Sequence, residues 1–437
     1  MSFMPRTSRP RFGGRGRGLA AIATALLLTA AASACGSGDD ADGEVSLRMT
    51  VWTADETQLE LFEEIAEDYM ADHPEVTDIA FDPVPFEGYT TALTTQIAGS
   101  NPPDLAWVLE RDAPDFVDSG ALADLMPTLE SAEGYEVDDL TPAATELWTS
   151  GDALYAYPLS TSPMGVFYNA DLLEEAGVKQ TPDELVASGD WTWDNAREVA
   201  AQVAANTESE GLVVRDWDYK NWIVLASIWR GFGAEAWSED GTECGFDSPE
   251  MTEAMTFLHD AIFEHQALPA PGTTADFFAG EAGMTITQIS RASLLAEDPF
   301  GWSIVPLPSG PAGDAQVIGQ AGIGVVAKSD HAQVAADFLA FFTDPENSAK
   351  LAAYFPPPRE SQLDARTLAK ANPLFTQEQL DSVVVNGITT GKVFPAHTDS
   401  NKIGNAVQAA LDPLWDPDAD VASVLDGVCD AIEPELS

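Results

Sequence analysis

The chain has 437 residues, 72 of them acidic and 20 basic, for a formal net charge of −52. So negative a surface repels phosphate backbones and anionic headgroups, which argues against nucleic-acid binding and against electrostatic adhesion to a membrane. The length exceeds one ordinary core, so two lobes are expected, and 45% hydrophobic residues suffice to fill both.

Five arginines (Arg6, Arg9, Arg11, Arg15, Arg17) open the sequence without an acid, and an apolar run of 16 residues follows from Leu19 to Ala34. A charged start, a short apolar middle and small residues before a cut describe a secretory signal over residues 1–34, too short for the ~20 residues of a permanent span. Ala32-Ser33-Ala34-Cys35-Gly36 resembles the lipobox of bacterial lipoproteins, with Ala32 where Leu is usual. That resemblance implies that Cys35 is lipidated, becomes the first mature residue and holds the protein on the outer face of the cell membrane. Plain signal cleavage, with Cys35 a spare thiol, is the alternative. Loss of the five arginines would deepen the charge from −52 to −57. Residues 35–44 read as a flexible acidic tether. With Cys35 taken by lipid, Cys244 and Cys429 remain as a pair in an oxidising compartment, and a disulfide is expected; two free thiols are the other reading.

Val45 to Trp52 alternates like a strand. A helix capped by Asp55 or Thr53 should follow, with Leu59, Phe62, Ile65, Ala66 and Tyr69 on its apolar face and a stop at His73-Pro74. Ile79–Val84 reads as a second strand, 88–98 as a helix broken at Pro102-Pro103, and Asp104–Leu109 as a continuous apolar strand. Strand and helix in alternation predict an α/β layer with a mostly parallel sheet. Further on, helices are expected from Trp193 to about Ala205, from Trp222 to Trp229, and on a face made by Val334, Phe338, Phe341 and Phe342. Extended segments are expected at 283–287, 301–308 and 318–326, and the last 80 residues look mainly helical.

Several marks then stand in order: Leu47-Arg48-Met49-Thr50-Val51-Trp52, Pro102-Pro103-Asp104-Leu105, Ser119-Gly120-Ala121-Leu122, Tyr155-Ala156-Tyr157-Pro158-Leu159, Val166-Phe167-Tyr168-Asn169-Ala170-Asp171, Thr192-Trp193-Asp194, Phe278-Ala279-Gly280-Glu281 and Asp344-Pro345-Glu346. Together they resemble the extracellular solute-binding proteins of ABC importers, the carbohydrate-binding group, from about Ser46 to Ile432. The resemblance implies a type II periplasmic-binding-protein-like α/β fold: two lobes, a three-segment hinge and a ligand cleft between them. Carried over, the N-terminal lobe is 45–158 plus 305–355 and the C-terminal lobe 163–300 plus 360–437. The crossings then fall near Pro158–Ser162, Ser303–Leu307 and Phe355–Pro358.

Sugars present flat C–H faces and rings of hydroxyls, so their sites need aromatic platforms and directional polar groups, placed at the carboxyl ends of strands. That selects Trp52 and Glu56 after strand one, Phe86 after strand two, and Glu110, Arg111 and Asp112 after strand three. Arg111 and Asp112 also align with sugar contacts of a maltodextrin-binding relative, although the three charged residues equally fit a solvated loop. Ser162 aligns with an acidic contact of that relative, and Ser290 with a platform tryptophan, a departure that weakens the case for long stacked glucans. Trp217, Tyr219 and Trp222 match an aromatic wall, though a stripe with Trp222, Trp229 and Trp237 also fits a core. Arg291 would offer bidentate bonds to hydroxyls. Gly319-Gln320-Ala321-Gly322 would bring backbone close to a ligand, and Arg359 either reaches the cleft or forms a structural salt bridge.

No phosphate-binding loop, nucleophile elbow or H-E-x-x-H stands in the chain, so an enzyme is not expected, although carboxylate pairs able to flank a glycosidic bond are open among 72 acids. Asp416, Asp418 and Asp420 have calcium-loop spacing, but Val421 replaces its glycine and Gly427 its final glutamate. No metal and no cofactor is expected. The resemblance implies a monomeric capture subunit that passes a sugar or small oligosaccharide to membrane permease subunits. A binder of cationic solutes such as polyamines is the second reading, and it needs acids without basic neighbours in the cleft.

Overall fold

The structure is a computed structural model that describes residues 44–215, 221–297 and 299–436. Cys35, Trp217 and Tyr219 lie outside the described residues.

β1 (Val45–Val51) buries Leu47, Met49 and Val51 on alternate positions, as its sequence pattern requires. α1 (Glu56–Asp72) starts where one Asp55 oxygen accepts the N–H groups of Thr57 and Gln58, and it buries Phe62, Ile65, Ala66 and Tyr69. β2 (Val76–Pro83), α2 (Tyr89–Ala98) and β3 (Leu105–Leu109) complete the first layer, with Gly88 entering α2 at φ 79°. β4 (Tyr157–Asn169) is a 13-residue strand, and α3 (Trp193–Asn206) is capped by Thr192. β5 (Glu210–Val214), α4 (Pro249–Phe263), β6 (Ala282–Gln288) and β7 (Trp302–Val305) follow. Then come β8 (Val317–Val325), α5 (Ala332–Phe342), β9 (Lys392–Val393), α6 (Ser400–Leu411) and α7 (Val421–Ile432). The helix expected from Trp222 shrinks to a 3-10 turn over Trp222–Leu225 and one α turn over Ala226–Trp229.

One sheet runs β2-β1-β3-β8-β4-β6-β5, with β7 also on β4 and β9 also on β8. β1 is parallel to β2 and β3, and β5 to β6. β8 is antiparallel to β3 and to β4, while β4 is antiparallel to β6 and β7. The sheet is therefore mixed where a mostly parallel one was expected, because the strands that link the lobes return against their neighbours.

Three clusters of buried side chains show where each stretch belongs. One holds Leu47, Phe62, Trp107, Tyr157, Leu159, Ile323, Phe338 and Phe342. A second holds Val166, Trp229, Leu258, Met284, Val305, Leu307, Val317 and Val428. The third, on the other side of the same strands, holds Phe167, Ile304, Leu380, Val383 and Ile388. Val166 and Phe167 face opposite clusters because side chains alternate along a strand. β4 thus leaves one lobe and enters the other within a single strand.

The second passage lies inside β8, between Val317 and Ile323, which corrects the crossing expected at Ser303–Leu307. Both segments are extended and apolar; pairing of Val166 with Val305 decides that the earlier one stays in the second lobe. On the third passage, Phe355 still packs in the first lobe and Leu363 already packs in the second, so the change comes a few residues after Phe355–Pro358.

Cys244 and Cys429 are bonded, with their Cα atoms 5.5 Å apart across a sequence separation of 185. Among the described residues no helix is long and apolar enough to cross a membrane, and no group of three or more His, Cys, Asp or Glu gathers as a metal site.

Candidate ligand-binding cleft

Trp52 leaves the carboxyl end of β1 and is held edge-on by three rings: Trp107 at 4.7 Å, Tyr89 at 5.2 Å and Phe86 at 6.0 Å. The Tyr89 hydroxyl lies 3.0 Å from the carbonyl oxygens of Thr50 and Trp107, which locks the ring to both strands. Phe86 is 49% exposed and forms the outer rim of this group.

A cavity of about 690 Å³ opens beside Trp52 and takes its walls from both lobes. From the first lobe come Trp52, Thr53, Asp55, Gln58 and Trp107; from the second come Ile289, Ser290, Ser293, Leu368, Asn372 and Leu374; Tyr354 and Phe355 close it near the third passage. Trp107 is buried, and among the described residues its indole N–H finds no acceptor. Ser290 lines the cavity, and its backbone N–H donates to Ser162 Oγ at 3.4 Å, so the two predicted serines are brought together at the hinge.

A second, smaller cavity of about 210 Å³ lies where the end of β3 meets α6. Arg111, Asn221, Trp222, His397, Ser400, Asn401 and Gln408 line it, a set rich in donors and acceptors around one indole. Trp222 is half-buried and stacks on Trp229 with centroids 6.2 Å apart. The lobes also touch here. Ser400 Oγ donates to Asp112 at 3.3 Å, and the Asp399 backbone N–H donates to Asp115 at 2.8 Å.

Glu110 follows β3 directly and lines neither cavity; burial pushes its carboxyl up to about 7, against the opposing pull of the Arg215 and Arg111 charges. Arg215, at the end of β5, in turn donates to Gln288 Oε1 at the end of the neighbouring strand β6 of the second lobe.

The family model for bacterial extracellular solute-binding proteins matches residues 53–349. The chain belongs to that family. Among similar proteins, a putative binding protein of Brucella abortus is 27% identical over 286 residues, 62% of this chain and 64% of its own length, so the chain spans a little under two thirds of that relative. The arabinooligosaccharide-binding protein of Halalkalibacterium halodurans is 26% identical over 319 residues, 69% of this chain and 68% of that one. Among solved structures, an ABC substrate-binding protein from Listeria monocytogenes in complex with cycloalternan superposes with a TM-score of 0.75 at 22% identity, covering 90% of this chain and 99% of that one.

Within this solute-binding protein, several residues expected at the ligand turn out to have other partners. Arg359 is fully buried in the first lobe. Its guanidinium donates to the carbonyl oxygens of Tyr135 and Thr343 at 2.9 and 3.0 Å, lies over the Tyr135 ring and approaches Asp139 at 3.7 Å. The structural salt bridge is the correct alternative. Gln320 also turns inward, accepting from Trp148 Nε1 at 3.2 Å and donating to the Ala143 and Ala144 carbonyls. The close approach at Gly319 is to Gln288, which a Cβ would meet at 2.7 Å. Asp112 is buried and saturated by Thr90, Ser400 and Arg111. Glu56 sits exposed in the first turn of α1 and lines neither cavity. Arg291 lies over the Phe278 ring at 4.8 Å and lines neither as well.

Trp52 and Ser290 meet at the large cavity, and Arg111 and Trp222 at the small one. Sequence reasoning missed Trp107, Tyr354, Asn372, His397, Ser400 and Asn401. Trp107 was hidden within an apolar strand; the three carboxyl-end loops drew attention away from the helical C-terminal region that supplies the rest.

Proposed function

We propose that this protein is the capture subunit of an ABC importer, holding a sugar or small oligosaccharide between its lobes and delivering it to membrane permease subunits. The observation that carries this reading is a cavity with both lobes as walls and a ring-braced tryptophan on one of them, with Arg111 in a second, smaller cavity rich in amides and hydroxyls. Ligand touching both walls favours the closed arrangement, since only closure offers both sets of contacts. Relatives named for arabinooligosaccharide, maltotriose and diacetylchitobiose support carbohydrate as the class.

In this reading the protein carries no catalytic step and needs no cofactor, works as a monomer and is secreted. Lipid on Cys35 anchors it to the outer face of the cell membrane through the 35–44 tether. Arg111 in the smaller cavity disfavours a cationic solute. A thermal-shift screen against mono-, di- and oligosaccharides, sugar acids and polyamines tests it. A native-state ligand raises the melting temperature by mass action, and a rise with one sugar class is the expected result. A rise with polyamines alone would replace the carbohydrate assignment.

A further inference from the structure

The larger cavity has two unlike walls. On the first-lobe side, Thr53, Asp55 and Gln58 bring polar groups beside the Trp52 ring. On the second-lobe side the wall is hydrocarbon: Ile289, Leu368, Leu374, Leu380 and Val384, with Ala296 at its exposed margin. The polar residues on that wall are Ser290, Ser293 and Asn372, and the last two are partly engaged. The Ser293 hydroxyl donates to the Ser290 carbonyl at 3.4 Å, and the Asn372 side-chain oxygen accepts the Leu374 N–H at 3.2 Å. The Tyr354 hydroxyl, at the junction, donates to Thr57 at 2.9 Å.

A bare oligosaccharide filling this space would press hydroxyls on the hydrocarbon wall, and each hydroxyl buried without a partner costs roughly ten-fold in affinity or more. An aryl or alkyl group there gains instead, because it displaces water from apolar surface on both sides. Resting on the capture reading above, we infer that the solute is amphipathic: a glycoside whose sugar faces the first-lobe wall and whose apolar aglycone covers Ile289, Leu374 and Leu380.

The test pairs each plain sugar with its p-nitrophenyl glycoside (maltose, cellobiose and diacetylchitobiose) in calorimetric titrations of the purified protein, with p-nitrophenol as a further ligand. The aryl member of a binding pair should bind at least about ten-fold tighter. Ala296→Glu, at an exposed position where folding is not at stake, should erase that preference by placing a carboxylate at the edge of the hydrocarbon wall. Equal affinity within every binding pair, or a preference that survives Ala296→Glu, overturns the inference and leaves sugar capture standing. If no sugar and no glycoside binds the folded protein, or p-nitrophenol alone binds as well as the glycosides, the capture reading fails and takes the inference with it.

Discussion

Arg359 shows how a single side chain is assigned by its neighbours. Buried guanidinium is costly unless its donors are used, and here carbonyl oxygens of Tyr135, Glu136 and Thr343 take bonds from both terminal nitrogens with Asp139 nearby, while Nε has no acceptor among the described residues. Arg359→Ala strands those carbonyls and should lower stability by about 3–5 kcal/mol, measured by urea unfolding, while calorimetry on the surviving folded fraction finds ligand affinity unchanged. An affinity loss as large as the stability loss would put Arg359 back in the cleft. Glu110 behaves oppositely. Its carboxyl is raised from 4.5 to about 7, so the folded state holds a proton that the unfolded state has released across that window. Stability should therefore decline as pH rises from about 4.5 through about 7 and then level off, and Glu110→Gln should flatten that part of the curve. Melting curves at constant ionic strength read both.

Among the helices, α7 depends most on a covalent tie. Its Cys429 bonds Cys244, 185 residues earlier, and both half-cystines pack on the second-lobe core with Trp237 and Val428. Closing so long a loop in the unfolded chain is worth about 5 kcal/mol by chain entropy. Cys429→Ser should lower the midpoint of unfolding by several kcal/mol equivalent, and reduction of the parent protein should reproduce the loss. No change in either case would mean that the thiols are free in the folded protein. α1 is the contrasting case: its start is local, written in Asp55 and the Thr57 and Gln58 amides, and this is why the sequence locates it without tertiary information.

The molecule as a whole carries a charge of −52, and acids dominate its surface. Like charges repel the compact form more than the expanded one, and salt shortens the range of that repulsion. Raising sodium chloride from 20 mM to 1 M should raise the melting temperature by several degrees, on the order expected when self-repulsion is screened. A flat or falling profile would mean that ion pairs such as Arg48–Asp82 and Arg230–Glu235 outweigh the repulsion.

Strand runs, helix faces, caps and breaks were legible because each depends on hydrogen bonds and periodicity within a few residues. The ordered marks from Leu47 to Glu346 carried the family as well, and of the residues singled out in the sequence Trp52 and Ser290 line the larger cavity and Arg111 and Trp222 the smaller. Tertiary structure alone decided which extended segment crosses between lobes, since the segments over 301–308 and 318–326 look alike until Val305 pairs with Val166. It also decided that Arg359, Gln320 and Asp112 are spent inside the protein, and that leucines from 368 to 380 wall the cleft. A side chain's partners come from residues as much as 297 positions away, as with Tyr354 and Thr57, and local sequence holds no record of such distances.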